Sequence, residues 1–110
     1  MKEEIIAIPL DDKEEEKTEI SNIFAKAPYF AIIKIRKGKI TETNIIRNSA
    51  LKYRHGVGPL VAKLLIDIGV KKVVTMEIGP TVKEIFEDEN IEIIRVKEKK
   101  TLKEILKGIN

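Results

Sequence analysis

The chain alternates between short runs of β-branched residues and stretches with apolar residues at helical spacing. Ile5-Ile6-Ala7-Ile8 is a short apolar run stopped by Pro9, the pattern of a buried strand. Leu10 to Lys26 is polar and reads as an exposed loop with one helical turn around Glu19–Lys26. Tyr29 to Arg36 is rich in β-branched and aromatic residues, which predicts a strand. Lys37-Gly38 then forms a two-residue hairpin signal. The partner run, Lys39 to Asn48, alternates with Ile40, Glu42, Asn44 and Ile46 on one face and Thr41, Thr43 and Ile45 on the other. Ile and polar residues mix on both faces, as on an edge strand.

The second half changes period. After a loop from Asn48 to Gly58, Pro59 fits the first position of a helix. Leu60, Val61, Leu64, Leu65 and Ile68 follow at helical spacing, and Gly69 is a C-terminal stop. Val73-Val74-Thr75-Met76 is strand-like, and Gly79-Pro80 repeats the helix-start signal. Val82, Ile85 and Phe86 make the stripe of a second helix that ends near Asn90. Ile91 to Val96 is the last strand. Thr101 can cap a final helix, with Glu104 at the capping-box position and Leu102, Ile105 and Leu106 facing inward.

The order is therefore β, loop, β-hairpin, α, β, α, β, α. The β-α-β unit demands a parallel pair, and the hairpin an antiparallel one. One mixed five-stranded sheet with the first strand near the middle and helices on both faces satisfies both demands, an α/β fold in three layers, α/β/α. The length of 110 residues suits a single domain over 1–110.

Composition narrows the chemistry. There is no Cys and one His, which excludes disulfides, thiolate zinc sites and Cys-ligated iron–sulfur clusters. His55 is the only imidazole available as a metal ligand. No apolar run approaches the ~20 residues of a membrane span, and Met1-Lys2-Glu3-Glu4 opens no signal peptide, so a cytoplasmic protein is expected. With 17 Lys, 14 Glu, 20 Ile and no Gln, the chain has the hyperthermophile tendency.

Net charge is +3, unevenly placed. Residues 1–33 carry −4, residues 34–72 carry +8 and residues 73–110 carry −1. The middle third is thus a candidate anion-binding region. Tyr53 is its only aromatic residue, too few for a stacking platform, which argues against nucleic acid. Two glycine-bearing helix starts, Gly56-Val57-Gly58-Pro59 and Gly79-Pro80, are potential anion sites. Neither is a dinucleotide fingerprint or a P-loop. Ser21 and Ser49 have no triad partners, and the acidic run Asp11–Glu16 lacks calcium-loop spacing, so it reads as a solvated face. No acid/base constellation emerges, and no enzymatic activity is expected.

The segments Ile6-Ala7-Ile8-Pro9, Ile20-Ser21-Asn22-Ile23-Phe24-Ala25-Lys26-Ala27-Pro28-Tyr29-Phe30 and His55-Gly56-Val57-Gly58 carry a resemblance. So do Gly69-Val70, Glu77-Ile78-Gly79-Pro80 and Thr101-Leu102-Lys103-Glu104. Together they resemble the dinitrogenase iron–molybdenum cofactor biosynthesis domain, a family that includes nitrogenase accessory proteins and small archaeal and bacterial proteins. The resemblance implies a ribonuclease-H-like sheet and non-catalytic holding of iron–molybdenum cofactor, its precursor or an iron–sulfur cluster, with cofactor-assembly proteins as partners. Relatives often read His-Phe-Gly where this chain has Ile23-Phe24-Ala25, and Ile23 cannot coordinate a metal. Lys26 stands where an Arg is common. From the resemblance together with the basic middle third and the two helix starts, the cofactor-binding candidates are His55, Gly56, Gly58, Arg54, Lys26 and Gly79, with Lys52 nearby and His55 the one metal ligand. The alternative is a partner-binding or regulatory domain that has lost cofactor binding. A third reading places a phosphate-bearing small molecule at the glycine loops.

Overall fold

The computed structural model describes residues 3–109; Met1 and Lys2, at the start of the sequence read for a leader, lie outside it, as does Asn110. Five strands make one sheet: β1 (Glu3–Leu10), β2 (Tyr29–Arg36), β3 (Lys39–Arg47), β4 (Lys72–Thr75) and β5 (Glu92–Arg95). Their spatial order is β3-β2-β1-β4-β5. β1–β2 and β2–β3 are antiparallel, whereas β1–β4 and β4–β5 are parallel. The mixed sheet with β1 at its centre, expected from the segment order, is present.

Both faces are covered. Ala7, Phe30, Ile32 and Val73 face helices α1 (Val57–Ile68) and α2 (Pro80–Asp88). Ile6, Ile8, Leu10, Ala31, Ile33 and Val74 face helix α3 (Leu102–Ile109). Covering on two sides is why the central strands read as unbroken apolar runs rather than as alternation.

The two longer helices stop in the same way. Gly69 takes a left-handed φ of 100°, with its N–H donating to Ile66 and the Val70 N–H donating to Leu65. Asn90, at φ 58°, does the same for α2: its N–H donates to Glu87, and the Ile91 N–H donates to Phe86. Both are Schellman stops, and each drives the next apolar residue, Val70 or Ile91, into the core.

Four local expectations need correction. β1 runs through Pro9 to Leu10. The Pro9 carbonyl accepts from the Ser21 N–H, so its missing donor lies on the side away from β2 and no ladder bond to β2 is lost. α1 starts at Val57, two residues before Pro59. Pro59 is tolerated inside the first turn because the N–H groups there have no intrahelical partner.

The faces of β3 also differ. Lys34 pairs with Glu42 and Ile35 with Ile40, leaving Thr41 as the extra residue of a bulge. The bulge flips the alternation, so Ile40 joins Ile45 on the α3 side while Ile46 faces the other core. Finally, no helical turn forms over Glu19–Lys26; the short helical turn is Glu15–Lys17. Ile20 and Phe24, spaced as if on one helical face, are both fully buried but in opposite cores. An extended segment crossing the end of the sheet reaches both; a helix would reach one.

The capping box at α3 forms as expected. The Glu104 N–H donates to Thr101 Oγ1 at 3.2 Å, and the Thr101 N–H donates to Glu104 Oε1 at 3.0 Å. The Thr101 backbone and then its hydroxyl hold the Glu104 carboxyl below its ordinary pKa of 4.5, helped by Lys100 and Lys107. A lowered folded-state pKa means a stabilising contribution present above pH 4.5 and lost as pH falls through the lowered value. Glu104→Gln should therefore reduce the acid-side dependence of thermal stability, measured as melting temperature between about pH 2 and 6.

Candidate functional site

β1 and β4 are parallel, so their carboxyl ends lie at one edge of the sheet. α1 and α2 each run back from that edge. α1 ends at Gly69, from which Lys71 donates to the Ile5 carbonyl at the opposite edge. α2 directly follows β4. Both helix N-termini therefore point to the carboxyl edge, the usual ligand position of an open α/β sheet.

Three loops meet there. The first crosses the sheet end: the Phe24 N–H donates to the Glu77 carbonyl at 3.0 Å, and the Glu77 N–H donates to Asn22 at 3.0 Å. The second, after β3, is tied to the first by Asn48. This side chain is 3% exposed, and its Nδ2 donates to the carbonyls of Ala25 and Ala27, each at 2.9 Å. Its Oδ1 accepts from the Ala50 N–H at 3.1 Å and caps a short helical turn, Ser49–Lys52, within the stretch expected to be loop. The third, Glu77 to Gly79, leads into α2.

Five of the six sequence-derived candidates fall on these loops, and the sixth, Gly58, lies in the first turn of α1. Lys26 is exposed in the turn that Asn48 brackets. Arg54 and His55 are exposed before α1. Gly56 takes φ 70° and N-caps α1, with open space around it. Gly79 N-caps α2 in extended backbone, also with open space. Gly58 has a different role. A Cβ there would stand 2.8 Å from Val82 Cγ2, so this glycine lets the first turns of α1 and α2 touch. It positions the two helix starts side by side.

The result is an open basic surface. Among the described residues, no carboxylate forms an ion pair with Lys26, Lys52 or Arg54; the ion pairs there involve Lys34, Lys63, Lys72 and Lys99. Lys52 Nζ lies 5.3 Å from the Tyr53 ring centroid, a cation–π contact that leaves its charge available. Ile23 is 52% exposed beside Glu77. His55 has no companion donors: among the described residues, no three His, Cys, Asp or Glu side chains group to hold a metal. The arrangement can attract an anion and offer it backbone N–H groups.

A family model described as dinitrogenase iron-molybdenum cofactor matches residues 4–110. The chain belongs to this family. A curated relative, an uncharacterized protein of Methanocaldococcus jannaschii, is 31% identical over 90 residues, covering 82% of this chain and 72% of that protein. The apo orange protein of Desulfovibrio gigas superposes with a TM-score of 0.82 at 17% identity, covering 94% of this chain and 84% of that one. A Thermotoga protein described as a candidate NifB protein of the DUF35 family superposes with a TM-score of 0.78 at 26% identity, covering 96% of this chain and 85% of that one. For the family member described here, the likeness to the orange protein concerns the fold alone.

Asn48 was not among the residues singled out from the sequence. Its signal was present: an Asn ahead of Ser49-Ala50-Leu51-Lys52 is a helix-cap pattern. Its two bonds to the 25–27 turn, 21 and 23 residues away, had no local signature.

Proposed function

We propose that this chain is a non-catalytic carrier that holds an anionic metal–sulfur cofactor or its precursor at the carboxyl edge of the sheet. Family membership over residues 4–110 supports the class of cargo. The observation that carries the reading is the set of exposed cations Lys26, Lys52 and Arg54, unpaired among the described residues, beside two helix N-termini. The donor set fits holding by charge and backbone N–H groups. It does not fit multidentate coordination, because His55 is the only imidazole and Cys is absent. His55 supplies at most one bond to a metal.

Thiomolybdate, a simple anionic molybdenum–sulfur species, tests this under anaerobic conditions by co-elution of its visible absorbance with the protein. Binding should weaken as salt rises, since exposed charges are screened over about 8 Å at physiological ionic strength. Lys26→Glu and Arg54→Glu should each weaken it roughly tenfold. His55→Ala should change the visible spectrum of the bound species. Absence of binding, or equal binding by the Lys26/Arg54 double variant, removes the proposal. The second reading, a partner-binding domain without cofactor, is favoured by the exposed apolar side chains Ile23, Leu51 and Tyr53. A colourless protein that forms a stoichiometric complex with a cofactor-assembly protein would support it.

A further inference from the structure

Next to the basic loops, on the β2–β3 side, lies an open groove of about 550 Å³. Its residues are not among the six candidates above. Pro28, Tyr29 and Leu51 give it apolar walls, while Arg47, Ser49 and Lys52 bring polar groups to it. Tyr29 and Arg47 are cross-strand partners at the ends of β2 and β3, so ring and guanidinium come from adjoining positions on two paired strands. The buried Asn48 side chain also lines the groove, but its hydrogen bonds to Ala25, Ala27 and Ala50 are all internal. Contacts to a ligand's head group therefore fall to Arg47, Ser49 and Lys52.

Arg47 and Lys52 bring two positive charges, and among the described residues neither forms an ion pair with a carboxylate. A carboxylate ligand would match one of them. A phosphate monoester carries between about −1.5 and −2 at neutral pH and matches both, and guanidinium is suited to it as a fork of donors. The volume lies within the roughly 300–1,000 Å³ of small-molecule sites. A bare inorganic anion would leave the Pro28, Tyr29 and Leu51 walls unused. We propose that this groove binds a phosphate monoester carried on a flat, ring-bearing body, with the phosphate between Arg47 and Lys52 and the ring against Tyr29, Pro28 and Leu51. Lys52 also belongs to the cation set of the carrier reading, but Pro28, Tyr29 and Arg47 do not, and the groove proposal does not depend on that reading.

The test is a titration of isotope-labelled full-length protein, followed by NMR, with adenosine monophosphate, adenosine and inorganic phosphate as probes. The monophosphate should produce saturable shifts at the amides of Tyr29, Arg47, Ser49, Leu51 and Lys52, with a Kd of about 1 mM or below. Adenosine and inorganic phosphate should each bind more weakly. Arg47→Ala and Lys52→Ala should each raise the Kd roughly tenfold, with Arg47→Lys retaining part of the affinity. The proposal is overturned by absence of saturable shifts, by shifts centred on residues 54–58, or by variants that bind as the parent does. It is also overturned if inorganic phosphate binds as tightly as the monophosphate. Thiomolybdate binding at the carboxyl-edge loops is read separately, so either site can fail without the other.

Discussion

Replacing Phe24 by alanine will lower the unfolding free energy by about 3–5 kcal/mol. Phe24 is fully buried at the centre of an aromatic cluster. Its ring centroid lies 5.2 Å from that of Phe30 in β2 and 5.5 Å, edge-on, from that of Phe86 in α2. Removing the ring forfeits two aromatic contacts and leaves a cavity that the sheet and α2 are too rigid to close. It also removes the anchor of the crossing loop. Urea denaturation of parent and variant measures the loss. Ile23→Ala is the control: this neighbouring side chain is half exposed, and its removal should change stability by no more than about 0.5 kcal/mol. A loss below about 1 kcal/mol for Phe24→Ala would show that the loop is held by its backbone bonds to Glu77 rather than by the ring. The loop also carries Lys26, so thiomolybdate affinity should fall in the same variant.

Asn48→Ala should cost about 2–4 kcal/mol by a different route. The variant loses three hydrogen bonds at a site 3% exposed. Two of them leave the carbonyls of Ala25 and Ala27 without the donor they face, and an orphaned buried acceptor costs more than a missing bond on the surface. The third is the cap of the Ser49–Lys52 turn, for which removal of an Asn typically costs about 1 kcal/mol. Asn44, exposed on β3, is the comparison: Asn44→Ala should be nearly neutral. Asn48→Asp keeps the acceptor for Ala50 but replaces the donor with a charge facing two carbonyls, so it should be at least as damaging as alanine. Equal stability of all three variants would show that the bracket around the 25–27 turn is not a structural tie. Amide exchange at Ala25 to Ala27 and Ala50 to Tyr53 should rise together in Asn48→Ala, because one side chain serves both loops.

These two positions mark how far local pattern carries. The hairpin at Lys37-Gly38 was legible because both residues must take positive φ, here 56° and 78°, and Gly supplies the more permissive partner. The α3 capping box was legible because Thr101 and Glu104 meet through their spacing alone. The helix stop at Gly69 was legible for the same reason. Each is decided within a few residues.

The misplaced features share the opposite property. Ile20 and Phe24, within the helical turn expected around Glu19–Lys26, stand four apart, and that spacing says nothing about which core each will enter. Ile20 enters the α3 core and Phe24 the α1/α2 core, a choice available only at the end of a sheet covered on both faces. The alternation of β3 was correct in period but shifted by the bulge at Thr41, which is fixed by register against β2. For the candidate site, Arg54, His55, Gly56 and Gly79 were reachable from charge and helix-start chemistry, and Lys26 from the resemblance. Their common location was reachable from the rule that ligands gather at strand carboxyl ends. The packing role of Gly58 against Val82 and the tie made by Asn48 were not, because both partners lie more than 20 residues away.

By itself, the sequence determined the five strands and three longer helices, their order, the mixed sheet with β1 at its centre and the exclusion of cysteine chemistry. All of these follow from local period, local capping and composition. Tertiary structure alone decided which core each apolar side chain enters. It also decided which glycine is needed for contact between helices, and that Lys26, Lys52 and Arg54 stand open to solvent without acidic partners among the described residues. Those outcomes depend on through-space neighbours, and packing and ion pairing act over a few ångströms regardless of separation along the chain.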